Sequence, residues 1–356
     1  MSNPKALIAM SGGVDSSVAA FLMKVNGFDC IGATMKLYDN ETVGIERQKT
    51  CCSLSDIEDA REVSYKLQIP YYVFNYKNQF EKAVISKFIS AYENGATPNP
   101  CIDCNRFLKF DLLLNRAKEL YCDCVVTGHY ARIEFNGERY ILKKGLDETK
   151  DQSYVLYFLS QSQLSKIKFP LGNYRKSEIR KIAEGNGFVN ANKKDSQDIC
   201  FVPNGDYAKF IENYTEKSYA TGDFIDRNGK VLGRHKGIIR YTIGQRKRLG
   251  ISSEKPLYVC SKNAAENTVT LGSSENLFTS EMIADDVNLI SVSEIKEPMK
   301  AKAKTRYNMK EQPCTVSQID KNTLKIVFDK PQRAITKGQA VVIYDNEIVV
   351  GGGTIK

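Results

Sequence analysis

The sequence predicts an α/β protein with a parallel-sheet domain at its N-terminus, a small central α+β domain and a C-terminal β-barrel. In the first 200 residues, short apolar runs alternate with helical stretches, which is typical of βαβ units. A short helix and a hairpin pattern follow, and from residue 282 short strands dominate, which indicates a small barrel or sandwich. A length of 356 residues agrees with two or three domains.

The N-terminal elements follow from hydrophobic periodicity. Short apolar runs predict strands at 6–10, 30–37, 71–75 and 122–127. Apolar residues with helical spacing predict helices at 16–25, 56–67, 79–92 and 106–120. The order of these elements is that of a parallel sheet covered by helices.

The C-terminal half carries hairpin signals. A short helix is predicted at 206–214, and the dipeptide Asn228-Gly229 between alternating apolar residues predicts a tight hairpin. Strand patterns follow at 299–307, 323–329, 340–344 and 347–355, with a turn at Asp345-Asn346. We predict domains at 1–205, 206–281 and 282–356.

The composition excludes several classes of protein. With 42% hydrophobic and 10% aromatic residues, the chain is not wholly disordered. The longest apolar runs are far shorter than the roughly 20 residues of a membrane helix, and the N-terminus lacks the pattern of a secretion signal. Ten cysteines are too few for a disulfide scaffold. We therefore expect a cytoplasmic protein whose closely spaced cysteines serve catalysis or metal binding.

The net charge of +9 lies in the C-terminal half. Residues 296–337 hold eleven Lys and Arg against four Asp and Glu, and residues 233–248 hold six basic residues and no acidic one. Such segments predict a polyanionic partner such as a nucleic acid, since Lys and Arg displace counterions from phosphates. A solvated basic surface is the alternative interpretation.

The first chemical motif, Ser-Gly-Gly-Val-Asp-Ser-Ser at residues 11–17, lies between a predicted strand and a predicted helix. Two glycines allow a tight turn whose backbone N–H groups point inward, and the helix N-terminus adds partial positive charge. The motif predicts a phosphate site in which Asp15 holds a magnesium ion. It lacks the Gly-Lys-Ser/Thr of a Walker A loop.

Two further motifs carry cysteines in polar, loop-like surroundings. Residues 95–106 form a proline-rich segment that contains Cys101 and Cys104 and leads into a predicted helix. Cys104 is expected at or near the helix N-terminus, where the dipole favours the nucleophilic thiolate. A second segment, residues 195–201, presents Cys200, which we expect at a strand end. Cys30, Cys122, Cys124, Cys260 and Cys314 are interpreted as buried structural cysteines.

Together the motifs resemble those of the bacterial tRNA-specific 2-thiouridylase family. Residues 11–17 resemble the PP-loop of the ATP pyrophosphatases, which fold like the adenine nucleotide alpha hydrolases. The family motifs then follow in order as TPNPxxxCN, GHYAR, KDQSY, SQDICF and GxHKGIxxYTIGQR, up to residue 246. The strand-rich basic tail resembles the C-terminal β-barrel of the family.

The resemblance implies that ATP adenylates the C2 oxygen of the wobble uridine of tRNA and that a persulfide sulfur from a separate donor protein replaces it. It implies Cys200 as the persulfide carrier, Cys104 as the nucleophile and a transient Cys104–Cys200 disulfide. The implied ATP-binding positions are Ala9, Met10, Ser11, Gly12, Gly13, Val14, Asp15, Ser16, Met35 and Gly128. The implied target-base loop is Asn99, Pro100 and Cys101, and the implied tRNA contacts are His129, Lys150, Asp151, Gln152, Arg306, Tyr307 and Gln339.

One position departs from the common pattern of the family. Many members have Asp where this chain has Cys101, so a proton-handling role of that position is not expected here. As an alternative to the persulfide mechanism, Cys101, Cys104 and Cys200 are candidate ligands of a [4Fe-4S] cluster. The role of the adjacent pair Cys51 and Cys52 is left open.

Two other function classes remain at this stage. One is a different PP-loop enzyme, an adenylating ligase that needs neither Cys104 nor Cys200. The other is a non-catalytic RNA-binding protein that keeps the nucleotide loop as a sensor and releases no pyrophosphate.

Overall fold

A computed structural model describes residues 3–39, 54–195 and 199–356. The chain forms two compact units. The first consists of residues 1–84, 101–205 and 347–350, and the second of residues 85–100, 206–346 and 351–356.

A five-stranded parallel sheet forms the centre of the first unit. Its strands lie in the order β3-β2-β1-β4-β7, and every neighbouring pair is parallel. The chain therefore builds outward from β1 in one direction and then returns to its other side with β4. The strands of this unit are β1 (Lys5–Ala9), β2 (Asp29–Lys36), β3 (Tyr71–Asn75), β4 (Cys124–Val126), β5 (Ala131–Phe135), β6 (Tyr140–Lys144) and β7 (Ile167–Lys168).

The predicted N-terminal helices are confirmed, with shifted ends. One difference is large, because the helix predicted from residue 106 begins at Pro100 and contains a π-helical middle. A proline is well placed at a first helical position, where no N–H donor is needed. The longer helices and helical segments are Val14–Val25, Leu54–Lys66, Lys77–Phe80, Glu81–Ile85, Ser86–Glu93, Pro100–Asp103, Cys104–Leu112, Leu113–Glu119 and Lys176–Gly185.

The sequence patterns did not predict the β5–β6 hairpin. Its turn is built by Asn136, whose side-chain oxygen accepts the N–H groups of Glu138 and Arg139, and by Gly137, which has a φ of 100°. The strands pair in register from Ala131↔Lys144 to Phe135↔Tyr140, and Lys143 also pairs with Ile348.

In the second unit, helix Tyr207–Thr215 precedes a four-stranded sheet of order β10-β11-β8-β9. The hairpin predicted at Asn228-Gly229 is confirmed, since β8 and β9 are antiparallel and Gly229 has a φ of 84°. The four strands are β8 (Gly222–Ile225), β9 (Val231–His235), β10 (Tyr258–Asn263) and β11 (Thr268–Gly272).

The C-terminal strands close into an antiparallel β-barrel. The order is β12-β15-β14-β13-β16-β17, and β12 also pairs with β17 from Ala284↔Ile355 to Leu289↔Gly351. This closure removes exposed sheet edges. The strands are β12 (Phe278–Leu289), β13 (Met299–Lys304), β14 (Gln312–Asp320), β15 (Thr323–Arg333), β16 (Ala340–Asp345) and β17 (Ile348–Ile355). Within the described ranges, no helix is long and apolar enough to cross a membrane.

Candidate functional site

The nucleotide-binding motif lies where an open parallel sheet binds ligands. Residues 11–13 follow the carboxyl end of β1, and residues 127–129 follow that of β4. Strand order reverses between β1 and β4, and open parallel sheets bind ligands in the crevice outside the strand ends at such a switch point.

Two glycines allow the chain segments at this crevice to approach closely. Gly12 has a φ of 75°, and a Cβ atom there would lie 2.3 Å from the carbonyl oxygen of Asp56. A Cβ atom on Gly128 would lie 2.9 Å from the backbone nitrogen of Ser16. A side chain at either position would therefore clash with neighbouring backbone, so the packing requires both glycines.

The loop is fixed by its own hydroxyl groups. The N–H of Ser11 donates to Ser16 Oγ at 3.1 Å, and Ser16 Oγ donates to the carbonyl oxygen of Gly13 at 3.0 Å. Gly13 caps helix Val14–Val25, and no side chain caps its first N–H groups. The N–H groups at the start of this helix are therefore available to bind a phosphate group.

Residues remote in sequence hold the loop from outside. The buried side-chain amide of Asn190 donates to the carbonyl oxygen of Gly12 at 3.0 Å and to Ser17 Oγ at 2.9 Å. Lys193 Nζ donates to Gly12 at 3.2 Å and to carboxylates of Asp56 and Asp59. Burial opposes the charge of Lys193, but the two carboxylates outweigh it and raise the pKa of Lys193.

Asp15 meets two partners that the sequence did not reveal. Lys176 Nζ lies 2.8 and 2.7 Å from the two carboxylate oxygens of Asp15, and the Tyr130 hydroxyl donates to Asp15 Oδ1 at 2.7 Å. Burial, and then the charge of Asp15, raises the pKa of Tyr130. Asp15 is a single carboxylate beside a phosphate-type cradle, which fits the one or two carboxylates that Mg²⁺ usually takes from a protein.

Three other implied ATP positions, Ala9, Met10 and Met35, lie at or near the carboxyl ends of β1 and β2. Ala9 ends β1, Met10 is buried, and the N–H of Met10 donates to Ala33 of β2 at 2.8 Å. Met35 lies near the end of β2 and is buried.

The motif that contains Cys101 and Cys104 forms the start of a helix. Cys101 is exposed and lies in segment Pro100–Asp103, while Cys104 is partly exposed and begins the π-helical segment Cys104–Leu112. Residues three apart on a helix lie on one face. Cys101 and Cys104 therefore share a face of this helix. Cys104 lies one turn after Pro100, the first residue of the helix. This is near the helix N-terminus, as expected, but beyond the first turn, where the helix dipole acts most strongly.

Our expectation that Cys200 ends a strand is wrong. Cys200 is partly exposed and lies in a turn closed by the hydrogen bond from Val202 N–H to the carbonyl oxygen of Ile199 at 3.0 Å. The neighbouring Phe201 is buried and its ring lies 5.5 Å from that of Phe80, so the apolar residues anchor a turn instead of a strand. The hydroxyl of Tyr38 donates to the carbonyl oxygen of Cys200 at 2.7 Å.

The loop implied to meet the target base is held within the second unit up to Pro100. The N–H of Thr97 donates to Lys337, and the side-chain amide of Gln339 donates to the carbonyl oxygen of Thr97 at 2.7 Å. Gln339, implied as a tRNA contact, therefore also positions the chain two residues before Asn99.

The three residues Lys150, Asp151 and Gln152 have different surroundings. Lys150 forms an ion pair with Asp195 at 2.8 Å. Asp151 is buried and accepts hydrogen bonds from Gly145 and Ser153, and Gln152 accepts the N–H of Tyr130. Their contact with tRNA stays a prediction.

His129 is buried against aromatic rings. Its Nδ1 lies 2.6 Å from Thr127 Oγ1, and its ring centroid lies 5.8 Å from that of Phe110 and 5.7 Å from that of Phe169. Burial, with a smaller contribution from Lys109, lowers the pKa of His129 well below its usual range. A tRNA contact of His129 stays a prediction.

We expect this buried histidine to make folding stability depend on pH. Because the folded-state pKa is lowered, the unfolded chain binds more protons below its own pKa of about 6.5, so stability falls as pH decreases through that value. The loss should be about 1 kcal/mol between pH 6.5 and 5.5. Thermal unfolding of His129→Gln should show a smaller loss of Tm between pH 7.5 and 5.5 than the wild type. An equal loss of Tm in both proteins would contradict the view that His129 causes the pH dependence. The comparison variant is His235→Gln, which removes the one other histidine.

In the basic segments of the second unit, some charged side chains are bonded within the fold and others are exposed to solvent. Arg306 donates to the carbonyl oxygen of Ala334 and to Thr336 Oγ1, so its guanidinium group is held by the fold. Tyr307 is 39% exposed, which suits stacking on a base. Three consecutive basic residues, Arg246, Lys247 and Arg248, are exposed.

The structure bears on the [4Fe-4S] alternative but not on the adjacent cysteines at positions 51 and 52. In the described part of the chain, no three Cys, His, Asp or Glu side chains are arranged to hold a metal ion, so the geometry does not favour the [4Fe-4S] alternative. Cys51 and Cys52 lie outside the described residues.

The sequence reasoning missed Lys176, Asn190, Lys193 and Asp195. The helix pattern around Lys176 is that of an ordinary amphipathic helix. A lysine-rich stretch before Asp195 was visible, but nothing in it indicated contact with a loop 180 residues earlier.

Three protein-family matches cover the chain. They are a tRNA methyl transferase HUP domain at residues 4–204, a tRNA methyl transferase PRC-barrel domain at 208–273 and an aminomethyltransferase β-barrel domain at 279–355. A protein of Clostridioides difficile named tRNA-specific 2-thiouridylase MnmA is 51% identical over 99% of this chain and 98% of its own length. The chain belongs to the tRNA-specific 2-thiouridylase family.

Other members of the 2-thiouridylase family are similarly close. The proteins of the same name from Clostridium acetobutylicum and Acetivibrio thermocellus are each 49% identical, over 99% and 100% of this chain and 100% of their own lengths. A solved structure of a 4-thiouridine synthetase with RNA and ATP is more remote, at 18% identity and a TM-score of 0.36 over 60% of this chain and 50% of that one.

Proposed function

We propose that the protein is an ATP-dependent tRNA sulfurtransferase that converts the wobble uridine to 2-thiouridine, with AMP and pyrophosphate as the other products. The observation that carries this proposal is the identity of about half of all residues, over the whole chain, to proteins named tRNA-specific 2-thiouridylase. The nucleotide loop at the switch point of the sheet supports the ATP-dependent half of the reaction.

The adenylation step uses the loop after β1. The N–H groups of residues 12–16 bind the phosphates, and the C2 oxygen of uridine attacks the α-phosphorus, so that pyrophosphate leaves. Asp15 is the residue that would hold Mg²⁺, which would neutralise the charge that develops on the phosphates. Adenylation turns a poor leaving group into AMP.

The sulfur step uses two thiols. The terminal sulfur of a Cys200 persulfide replaces AMP at C2, which leaves the uridine joined to Cys200 through a disulfide. The Cys104 thiolate then attacks the Cys200 sulfur, 2-thiouridine leaves, and a Cys104–Cys200 disulfide forms that two electrons from a thiol must reduce. The partial exposure of both cysteines is compatible with these exchanges.

The partners and the remaining roles are part of the same proposal. A separate persulfide protein supplies the sulfur, the three domains are 1–205, 206–281 and 282–356, and the reaction takes place in the cytoplasm. Arg246, Lys247, Arg248 and Tyr307 are exposed residues of the second unit that suit phosphate and base contacts.

The direct test is nucleoside mass spectrometry. We expect 2-thiouridine after incubation of the protein with unmodified tRNA, ATP, Mg²⁺, a cysteine desulfurase with cysteine as sulfur source, and a thiol reductant. Omission of ATP is the control and should remove the product. Bound tRNA without 2-thiouridine or pyrophosphate release would favour a non-catalytic RNA-binding protein. An iron and sulfide assay on anaerobically purified protein tests the cluster alternative.

A further inference from the structure

Lys176 occupies a costly position for a cation. It is the first residue of helix Lys176–Gly185 and is 8% exposed. A lysine is rarely buried without a partner, and the positive end of a helix dipole disfavours a cation. The position is therefore stable only because nearby carboxylates compensate both effects.

Those carboxylates come from two different parts of the first unit. Lys176 Nζ lies 2.7 and 2.8 Å from the two oxygens of Asp15 and 2.8 Å from Asp195 Oδ1. An ammonium group has three N–H donors, and these three oxygens are enough to accept all of them. One side chain thus joins the nucleotide loop to a residue 180 positions later.

Asp195 is the meeting point of three cations. Besides Lys176, it pairs with Lys150 at 2.8 Å and with Arg180 at 3.1 Å. Burial would raise the pKa of Asp195, but the hydrogen bonds from Lys150 and Lys176 outweigh it and lower the pKa. Three cations thus meet two carboxylates beside the loop that would bind a triphosphate, and the carboxylate of Asp147 accepts the backbone N–H of Lys176 at 3.0 Å.

Asp195 also lies five residues before Cys200. On the far side of that segment, Tyr38 holds the carbonyl oxygen of Cys200 at 2.7 Å, and Phe201 is buried. Tyr38 thus holds Cys200, and the Lys176 cluster holds Asp195, which lies five residues earlier in the chain.

We propose that Lys176 is a positioning residue that couples the nucleotide loop to the Cys200 segment, by holding Asp15 and Asp195 with one ammonium group. The role of Cys200 in this inference rests on the proposed function, whereas the experiment below does not require that function. A side chain shared by two sites gives each site a free-energy dependence on the other. Loss of Lys176 should therefore affect ATP binding and the Cys200 segment together, although Lys176 does not contact Cys200 in the cluster described above.

The test uses Lys176→Met, Asp195→Asn and the control Lys181→Met, an exposed lysine of the same helix. The first readout is the rate at which iodoacetamide alkylates Cys200 in the full chain without ATP or tRNA. Trypsin releases Cys200 in fragment 195–209 and the buried Cys314 in fragment 311–321, each as the one cysteine of its fragment. The second readout is the Kd of ATP in the presence of Mg²⁺, measured by calorimetry.

We expect Lys176→Met to alkylate at Cys200 at least about fivefold faster, with Cys314 unchanged, and to bind ATP about tenfold more weakly. Asp195→Asn should accelerate alkylation of Cys200 to a similar extent but weaken ATP binding less. Lys181→Met should match the wild type in both readouts.

An unchanged Cys200 rate in folded Lys176→Met overturns the proposal. If the alkylation rates of Cys200 and Cys314 rise together in Lys176→Met, the variant is generally unfolded, and Asp195→Asn becomes the deciding variant. An unchanged alkylation rate of Cys200 in Asp195→Asn then overturns the proposal. These readouts do not require thiolation. If the wild type forms no 2-thiouridine, the proposed function fails, while the alkylation pattern still tests the coupling.

Discussion

The Cys200→Ser variant is expected to form at least about 10³-fold less 2-thiouridine than the wild type while it still releases pyrophosphate in the presence of tRNA. A serine hydroxyl cannot carry a sulfane sulfur, whereas the proposed adenylation step uses the loop after β1 and does not need this thiol. The measurements are nucleoside mass spectrometry for the product and a coupled assay for pyrophosphate.

Cys104→Ser should stop the reaction one step later. Without the second thiolate, the disulfide between Cys200 and the uridine is not opened, so a covalent protein–tRNA species should accumulate and disappear on addition of dithiothreitol. Denaturing gel electrophoresis with labelled tRNA detects it. The same treatment of Cys200→Ser should yield no such species.

Cys260→Ser is the matched control for both cysteine variants. Cys260 is also partly exposed, but it lies in β10, and burial raises the pKa of its thiol. It should retain the wild-type rate. Wild-type formation of 2-thiouridine by Cys200→Ser would reject the persulfide role of Cys200.

The Gly12→Ala variant is expected to lose at least about 100-fold in kcat/KM for ATP, since displacement of a binding loop by about 1 Å has effects of that size. The new Cβ atom would lie 2.3 Å from the carbonyl oxygen of Asp56, and the φ of 75° disfavours any side chain. The loop must then move, and its N–H groups with it. Pyrophosphate release at varied ATP concentration measures the change.

Gly27→Ala separates the effect of contact from that of backbone strain. Gly27 has a φ of 81°, close to that of Gly12, but a Cβ atom there would meet nothing within 4 Å. The variant should lose about 1 kcal/mol of stability and keep its KM for ATP. An equal rise in KM in Gly27→Ala and Gly12→Ala would mean that the contact with Asp56 does not matter.

Local patterns in the sequence were sufficient for most of the fold. The alternation of apolar runs with helical spacing predicted β1 to β4 and their helices, because residues a few positions apart determine both patterns. The dipeptide Asn228-Gly229 predicted its hairpin for the same reason, since a tight turn of this kind depends on the φ values of two adjacent residues. The hairpin at Asn136-Gly137 carries the same signal and was missed inside a region assigned to helices and parallel strands.

The sequence by itself also indicated the candidate reactive residues. Residues 11–17, Cys104 and Cys200 stand out because their types and local order are unusual outside a reactive site. Local order does not give burial, however, and only the folded chain shows that His129 is enclosed by aromatic rings and that Cys200 lies in a turn.

The tertiary structure alone decided which charges meet. Asp15 and Lys176 are 161 positions apart, and neither the helix pattern around Lys176 nor the loop motif around Asp15 indicates the other. Similarly, no sequence pattern indicated that β12 pairs with β17 and so closes the barrel. Periodicity reports contacts within a helix or strand, whereas pairing between distant segments depends on the order of strands in the sheet and on the space that packing leaves beside them.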